Sequence, residues 1–243
     1  MSPAPLGTEL PPVEHKRSYV RTMFTAIAPR YDLLNHLLSL NIDKRWRRRA
    51  VKRLDWARAP DGVYLDACAG TLDLAADLCR QQGFRGRAVG ADFVLPMLAL
   101  GRNKASALWP VGADALELPF GDSVFDGATV GFGVRNLEDL AAGLAELRRV
   151  LKPGARAVIL EFTTPPAWPI RQLYLLYFRR ILPTVGRVVS KHRDAYSYLP
   201  NSVLAFPEPE ALATMLRDSG FVDVGYERLT FGIVAVHWGT AGG

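Results

Sequence analysis

An α/β fold on a mostly parallel sheet, covered by helices on both faces and mixed at one edge, is what this sequence predicts. Three features carry that reading. Strand patterns alternate with helical ones from Gly62 to Phe162, and a polar or glycine-bearing turn follows each strand pattern. The chain closes on two further strand patterns, 220–229 and 231–239, whose connection is too short to cross the sheet, so that pair is antiparallel. With 243 residues, 49% of them apolar and 22% charged, the chain suits one enlarged globular domain without metal or disulfide support.

Taken in order, residues 1–14 contain Pro3, Pro5, Pro11 and Pro12 and read as a flexible tail. A helical cover follows over 15–60. Val20, Met23, Phe24 and Ile27 recur at three and four, then Tyr31, Leu34, Leu37 and Leu38; after a break near Asn41 come Trp46, Ala50, Val51 and Leu54, with KRWRRRAVKR (44–53) on the polar side. The core, 61–164, opens with strand 63–67, the turn CAGTLD and helix 73–82, then strand 87–92 and a helix around 95–107. Strands at 108–114 and 127–132, a helix over 137–154 with a Pro-Gly stop, and strand 155–162 complete it. Residues 165–200 form an insertion rich in Pro, aromatic and basic residues, with RQLYLLYFRRIL (171–182) helical; 201–243 supply a helix at 208–219 and the closing strand pair.

Cys68 and Cys79 are the only cysteines and do not form CxxC, and His15, His36, His192 and His237 are scattered, which excludes a disulfide scaffold and leaves no metal site expected. No apolar stretch approaches the ~18–20 residues that span a bilayer, and the N-terminal segment fits neither a signal peptide nor a lipidation motif; a cytoplasmic protein is expected. The net charge of +6 divides into +7 over 1–60, −4 over 61–150 and +3 over 151–243. Basic flanks suit a nucleic acid, an anionic membrane surface or merely solvated helix faces, and charge alone does not choose.

Open α/β sheets bind ligands outside the C-terminal ends of their strands. Those ends are Asp66 with the turn 68–73, Asp92, Asp114 with Ala115, the segment 131–136, and 161–164. The turn DACAGTLD lacks GxGxxG and no GxxxxGK[ST] loop exists, so neither a dinucleotide nor a phosphate chain is indicated. An acid ending the second strand suits ribose hydroxyls, and Asp92 holds that place. Asp114 could accept an adenine amino group while the adjacent backbone amide serves a ring nitrogen. The spacing permits a nucleoside cofactor without a phosphate.

The motifs MFTAIAPRYDLLNHLLSLNIDKRWR (23–47), YLDACAGTLDLA (64–75), GADFVLPML (90–98), GADALELPFGDSVFD (112–126), GFGVRNLEDL (131–140), ELRRVLKPG (146–154), ILEFTTP (159–165) and GFVDVGYERLTFGIVAVHWG (220–239) lie in one order along the chain. Through them, residues 19–239 resemble the ubiquinone/menaquinone biosynthesis C-methyltransferases, the demethylmenaquinone methyltransferase family of class I S-adenosylmethionine-dependent enzymes. The resemblance implies a Rossmann-like class I methyltransferase fold, a single domain whose seven-stranded mixed sheet has the order 3-2-1-4-5-7-6, with N-terminal helices and a helical insertion before the last strand pair. It implies S-adenosylmethionine as cofactor, with Asp66 and Gly70 shaping the methionine-side loop, Thr71 touching the cofactor, Asp92 on the ribose, Asp114 with Ala115 on the adenine, and Gly131 beside it. It places Arg135 and Asn136 in the substrate site, with Tyr31 and Asp32 of the helical cover as polar partners.

The implied reaction is C-methylation of a reduced prenylated quinone precursor, demethylmenaquinol to menaquinol first among them. Methyl transfer from a sulfonium is an in-line displacement, and a quinol carbon becomes strongly nucleophilic as a ring hydroxyl loses its proton. A guanidinium keeps its charge throughout the physiological range, so Arg135 is assigned to stabilising a phenolate rather than to removing the proton. The implied partners are the prenylated quinol and, transiently, an anionic membrane surface beneath the basic and aromatic cover, on the inner face of the membrane. A homodimer is compatible; no nucleic acid partner is expected. A methyltransferase acting on a soluble small molecule or RNA, and a non-catalytic quinone-synthesis partner, stay open as alternatives. Cys68 and Leu72 stand where the family carries a glycine-rich loop, and Leu72 is expected to spare the cofactor by taking an ordinary conformation with φ < 0.

Overall fold

The computed structural model describes residues 10–177, 180 and 193–243. Its strands are β1 (Val63–Ala67), β2 (Arg87–Asp92), β3 (Leu108–Gly112), β4 (Phe125–Gly131), β5 (Leu151–Phe162), β6 (Phe221–Leu229) and β7 (Val234–Ala241). They form one sheet in the order β3-β2-β1-β4-β5-β7-β6, as expected. The first five run parallel, while β7 is antiparallel to both β5 and β6. Strand β5 shows why the sheet needs cover on both faces. Ala157 and Ile159 join an apolar layer with Leu65, Val130, Leu147 and Leu212, whereas Val158 and Leu160 join another with Trp46, Leu54, Tyr64 and Val236. That is the period of two that sends successive side chains to opposite faces.

The helices are α1 (Val13–Ile27), α2 (Tyr31–Leu38), α3 (Asp43–Arg53), α4 (Asp73–Cys79), α5 (Leu95–Gly101), α6 (Leu140–Val150), α7 (Trp168–Leu176), α8 (Arg193–Ala205) and α9 (Pro209–Asp218). Several stop sooner than the periodicity suggests: α4 ends at Cys79 rather than residue 82, and α5 at Gly101 rather than 107. Helix α6 opens at an Asp139 cap, whose Oδ1 accepts the Ala142 N–H at 2.9 Å, and closes at Val150. Residues 151–154, expected to finish that helix, belong to β5, with Leu151 paired to Phe125. Pro153 disfavours helical geometry in the residue before it, so the chain leaves the helix early.

Helix α1 starts at Val13, inside the stretch expected to be a tail, and residues 1–9 lie outside the described part. So do 178, 179 and 181–192 of the insertion, His192 among them. Helix α3 turns Trp46, Ala50 and Val51 inward, with Leu54 buried just after it, while Arg47, Arg49 and Arg53 are tied back to the fold. Arg49 and Arg53 both grip Glu227 of β6, at 2.5–3.2 Å. Helix α1 crosses the strand ends. Lys16 Nζ donates to the Leu137 carbonyl at 2.6 Å, the Arg17 N–H donates to Glu138 at 2.8 Å, and Arg17 Nε meets Asp114 Oδ2 at 2.7 Å.

Candidate active site

The loop after β1 is built from residues in the left-handed region: Cys68, Gly70 and Leu72 have φ of 52°, 51° and 64°. Leu72 therefore departs from the expected φ < 0. Its side chain spares the crevice for a different reason, being fully buried with Ala75, Ala76, Ala88, Leu98 and Leu108 on the far side of the loop. The space comes from a glycine on β2, since a Cβ at Gly90 would overlap Leu72 Cδ2. On the crevice side the loop is open, and a Cβ on Gly70 would touch only Met97 Cε, at 3.5 Å.

Three acids stand at the strand ends around this loop. Asp66 is buried beneath it, accepting Thr129 Oγ1–H at 3.0 Å and the Ala75 N–H at 3.0 Å, and burial pushes its carboxyl up to about 7. Asp92, also raised by burial, accepts the Gly70 N–H on one oxygen and the Val94 N–H on the other, each at 2.8 Å. With the Phe93 amide also turned to this carboxylate, three backbone donors leave room among its roughly four acceptor sites for a further one. Asp114 accepts the Leu116 N–H at 3.0 Å and holds Arg17, with half-exposed Ala115 beside it. Gly131 is the last residue of β4, next to Phe132, whose left-handed φ of 56° turns the chain. Thr71 is buried, and its hydroxyl donates to Asp32 Oδ1 at 2.5 Å. Lys104 Nζ joins Asp32 and Asp73, at 2.8 and 2.6 Å. An open cradle at Gly70 beside two carboxylates with unused lone pairs fits the ribose and amino-acid ends of S-adenosylmethionine.

Beside this crevice lies a cavity of about 410 Å³, walled by Met23, Phe24, Ile27 and Tyr31 of the cover, Trp46 of α3, Phe132 and Phe162 at the ends of β4 and β5, and Tyr174 and Tyr198 of the insertion. Arg135 reaches this cavity from the 3-10 turn Val134–Asn136. The turn fits because residue 133 is glycine, where a Cβ would run into Cys68. Arg135 Nη1 donates to Glu161 Oε1 at 2.9 Å and to the Phe132 carbonyl, and the guanidinium lies 5.7 Å from the Phe162 ring centre. Glu161 is fully buried, and burial raises its pKa against the pull of Arg135. Arg135 Nε is buried without a hydrogen-bond partner among the described residues.

Of the residues expected in the substrate site, Arg135 and Tyr31 line the cavity and the other two do not. Asn136 is turned aside: its Oδ1 accepts Tyr198 Oη–H at 3.1 Å and its Nδ2 donates to the Phe132 carbonyl at 3.5 Å. Asp32, one residue after Tyr31 on α2, projects instead to Thr71 and Lys104. Glu161, Tyr174 and Tyr198 are site residues that sequence reasoning did not single out. The acid in EFTTP was visible at a strand end, but no periodicity shows that it reaches Arg135. Leu40, Leu173, Trp168 and Phe231 are 67–78% exposed; Leu40 and Leu173 also line the cavity, and Phe231 lies between Thr230 and Ile233, which do. Among the described residues, no group of three or more His, Cys, Asp or Glu side chains is arranged to hold a metal, and no helix is long and apolar enough to cross a membrane.

The profile of the ubiE/COQ5 methyltransferase family matches residues 13–241. The chain belongs to this family. It is 51% identical over 221 residues to the demethylmenaquinone methyltransferase of Thermus thermophilus, covering 89% of this chain and 99% of that one. It is 44% identical over 233 residues to the ubiquinone/menaquinone biosynthesis C-methyltransferase UbiE of Geobacter sulfurreducens, covering 93% and 90%. Solved structures share the fold at low identity. A SAM-dependent methyltransferase from Thermotoga maritima superposes with a TM-score of 0.64 at 19% identity, over 90% of this chain and 98% of that one. Phosphoethanolamine N-methyltransferase 2 of Haemonchus contortus, in complex with S-adenosyl-L-methionine, gives 0.56 at 14% identity, over 79% and 52%. Family membership and fold thus agree on a class I methyltransferase.

Proposed function

We propose that the chain is an S-adenosylmethionine-dependent C-methyltransferase of quinone biosynthesis that converts demethylmenaquinol to menaquinol. The observation that carries the substrate side is the aromatic-walled cavity with Arg135 in its wall, the only other charged lining among the described residues being the mutually paired Asp43 and Arg47, and an exposed apolar rim. A flat ring with a prenyl tail matches such a cavity, whereas a soluble phenol has no use for the rim. S-adenosylmethionine supplies an electrophilic methyl group when bound. Asp92 accepts the ribose hydroxyls, Asp114 and Ala115 address the adenine once Arg17 releases the carboxylate, and Gly70, Thr71 and Gly131 border the cofactor while Asp66 braces the loop from beneath. Arg135 stabilises the charge that grows on a ring oxygen as its neighbouring carbon becomes nucleophilic. Tyr31 walls the ring between crevice and cavity. Asn136 is assigned to holding the Tyr198 hydroxyl, and Asp32 to fastening the cover to Thr71.

The rim also supports transient contact with an anionic membrane, from which a prenylated quinol would enter on the cytoplasmic side. Lys44, Arg45, Arg48 and Lys52 of α3 are exposed and available for such a surface, in contrast to the buried Arg47. The deciding experiment incubates the protein with labelled S-adenosylmethionine and chemically reduced demethylmenaquinone, a reduced ubiquinone precursor, soluble phenols or RNA, and weighs the products. One added methyl on the reduced naphthoquinone, and none on its oxidised form, is the expected result. Preferential labelling of a soluble phenol or RNA would overturn the reading.

A further inference from the structure

Resting on the quinol reading above, we infer that Glu161 is a positioning residue for methyl transfer: it pins one edge of the Arg135 guanidinium so that the rest of that side chain is presented to the ring oxygen. Glu161 is fully buried at the end of β5 and does not line the cavity, so whatever it contributes passes through its neighbours. Its Oε1 accepts from Arg135 Nη1 and from the Phe162 N–H, both at 2.9 Å, and its Oε2 faces the backbone N–H of Arg135 at 3.4 Å. One carboxylate therefore sets both the main chain and the side chain of the arginine. The Phe132 carbonyl takes the second Nη1 hydrogen.

What this pinning leaves over is the informative part. Arg135 Nε is buried and has no partner among the described residues, although the side chain is only 6% exposed and borders the cavity. Buried donors are rarely left unpaired. A purely structural ion pair would use its donors on the protein, whereas here Nη2 too donates to none of the described residues and, unlike Nε, is not closed off where the side chain borders a chamber large enough for an aromatic ring. A phenolate accepts such a donor far better than a neutral hydroxyl does, so the interaction strengthens as charge develops. Glu161 also cancels the arginine's charge before the reaction begins, which makes Arg135 a directed donor rather than a free cation.

The test uses the full chain with S-adenosylmethionine and a chemically reduced, short-chain prenylated naphthoquinone lacking the ring methyl, delivered in detergent. Single-turnover rates across pH, cofactor affinity by calorimetry and melting temperatures are measured for wild type, Glu161→Ala, Glu161→Gln, Arg135→Ala and the Glu161→Ala/Arg135→Ala double variant. Glu161→Ala should slow the single turnover by ~10²-fold while cofactor affinity stays within about threefold, since the lost contact belongs to the transition state. Added to Arg135→Ala, it should change the rate by less than about threefold, because Glu161 acts only through that arginine. Glu161→Gln keeps an acceptor for Nη1 and the shape of the side chain, so it folds even where the alanine variant does not. With the guanidinium charge uncompensated, it should move the midpoint of the pH–rate profile down by about one pH unit. Rate losses that multiply in the double variant, or a Glu161→Gln profile with the wild-type midpoint, would overturn the inference while leaving the substrate reading intact. Wild type inactive on the reduced naphthoquinone would overturn the substrate reading, and this inference with it.

Discussion

Replacing Leu72 by glycine separates packing from cofactor binding in the loop after β1. Leu72 is fully buried, so its loss removes a core side chain of the kind whose truncation costs ~3–5 kcal/mol. Against this stands its φ of 64°, a conformation that costs an L-residue ~1–2 kcal/mol and glycine almost nothing. The greater freedom of glycine in the unfolded chain adds back ~0.5–1 kcal/mol. Packing wins, and Leu72→Gly should be less stable by about 2–4 kcal/mol, lowering the melting temperature by ~5–15 °C for a chain of this size. Calorimetry on the same preparations should find cofactor affinity within about threefold, because the side chain points away from the crevice. Gly90→Ala should be destabilised by ~1–3 kcal/mol through the overlap with Leu72, and the Leu72→Ala/Gly90→Ala pair should cost less than the two changes summed. A Leu72→Gly protein as stable as wild type would refute the packing account. One that bound the cofactor tenfold tighter, ~1.4 kcal/mol, would show that Leu72 intrudes on the crevice.

Asp92→Ala should weaken S-adenosylmethionine binding by ~1–3 kcal/mol in a folded protein, and unchanged affinity by calorimetry would remove Asp92 from the ribose. Arg135→Lys should recover only part of the single-turnover rate lost in Arg135→Ala, since one ammonium cannot reproduce the guanidinium fork, and full recovery would argue for charge alone. His237 is buried on β7 with Nε2 against the Pro209 carbonyl, and burial lowers its pKa from 6.5 to about 4. Between those values the unfolded chain binds the proton and the folded one does not, so stability should fall as pH drops from about 6.5 to 4, by up to ~3 kcal/mol, and a His237→Gln variant that folds should lose this component in denaturant titrations. Binding to anionic liposomes should exceed binding to neutral ones, weaken with salt, and drop for Phe231→Ser; equal partitioning to both would leave the rim without a membrane role.

Much of the architecture was legible because each core strand is short, apolar and followed by a turn, and because a closing pair with so short a connection admits only an antiparallel edge. Helix ends were less legible. The apolar pattern of α4 and α5 runs on into residues that are no longer helical, and Pro153 ends α6 earlier than the following glycine suggested. In the site, the strand-end acids Asp66, Asp92 and Asp114 stood out by position alone. Their partners did not: Arg17 meets Asp114 across 97 positions of sequence, and Glu161 meets Arg135 through a fold-dependent contact. Asn136 illustrates the same limit. Adjacent to Arg135 in a short turn, it points elsewhere, a difference of side-chain direction that linear spacing does not encode. Leu72 was misread because the room that lets its side chain bury beside a left-handed backbone comes from Gly90, on β2, a contact that the local sequence does not show.

The helices that roof the crevice also furnish the near wall of the cavity, so one element serves two chambers. Arg17, which holds Asp114 from α1, has a side chain 60% exposed, and ion pairs so open to water are worth only ~0–1 kcal/mol. At Asp114 this pair adds little to the hold on the roof, which the Lys16 and Arg17 hydrogen bonds to Leu137 and Glu138 also fasten. Met23, Phe24, Ile27 and Tyr31 of that same roof wall the cavity. The wall of the chamber proposed for the oily substrate is thus also the cover of the crevice proposed for the methyl donor, so a substitution that unseats those helices should be felt at both sites at once.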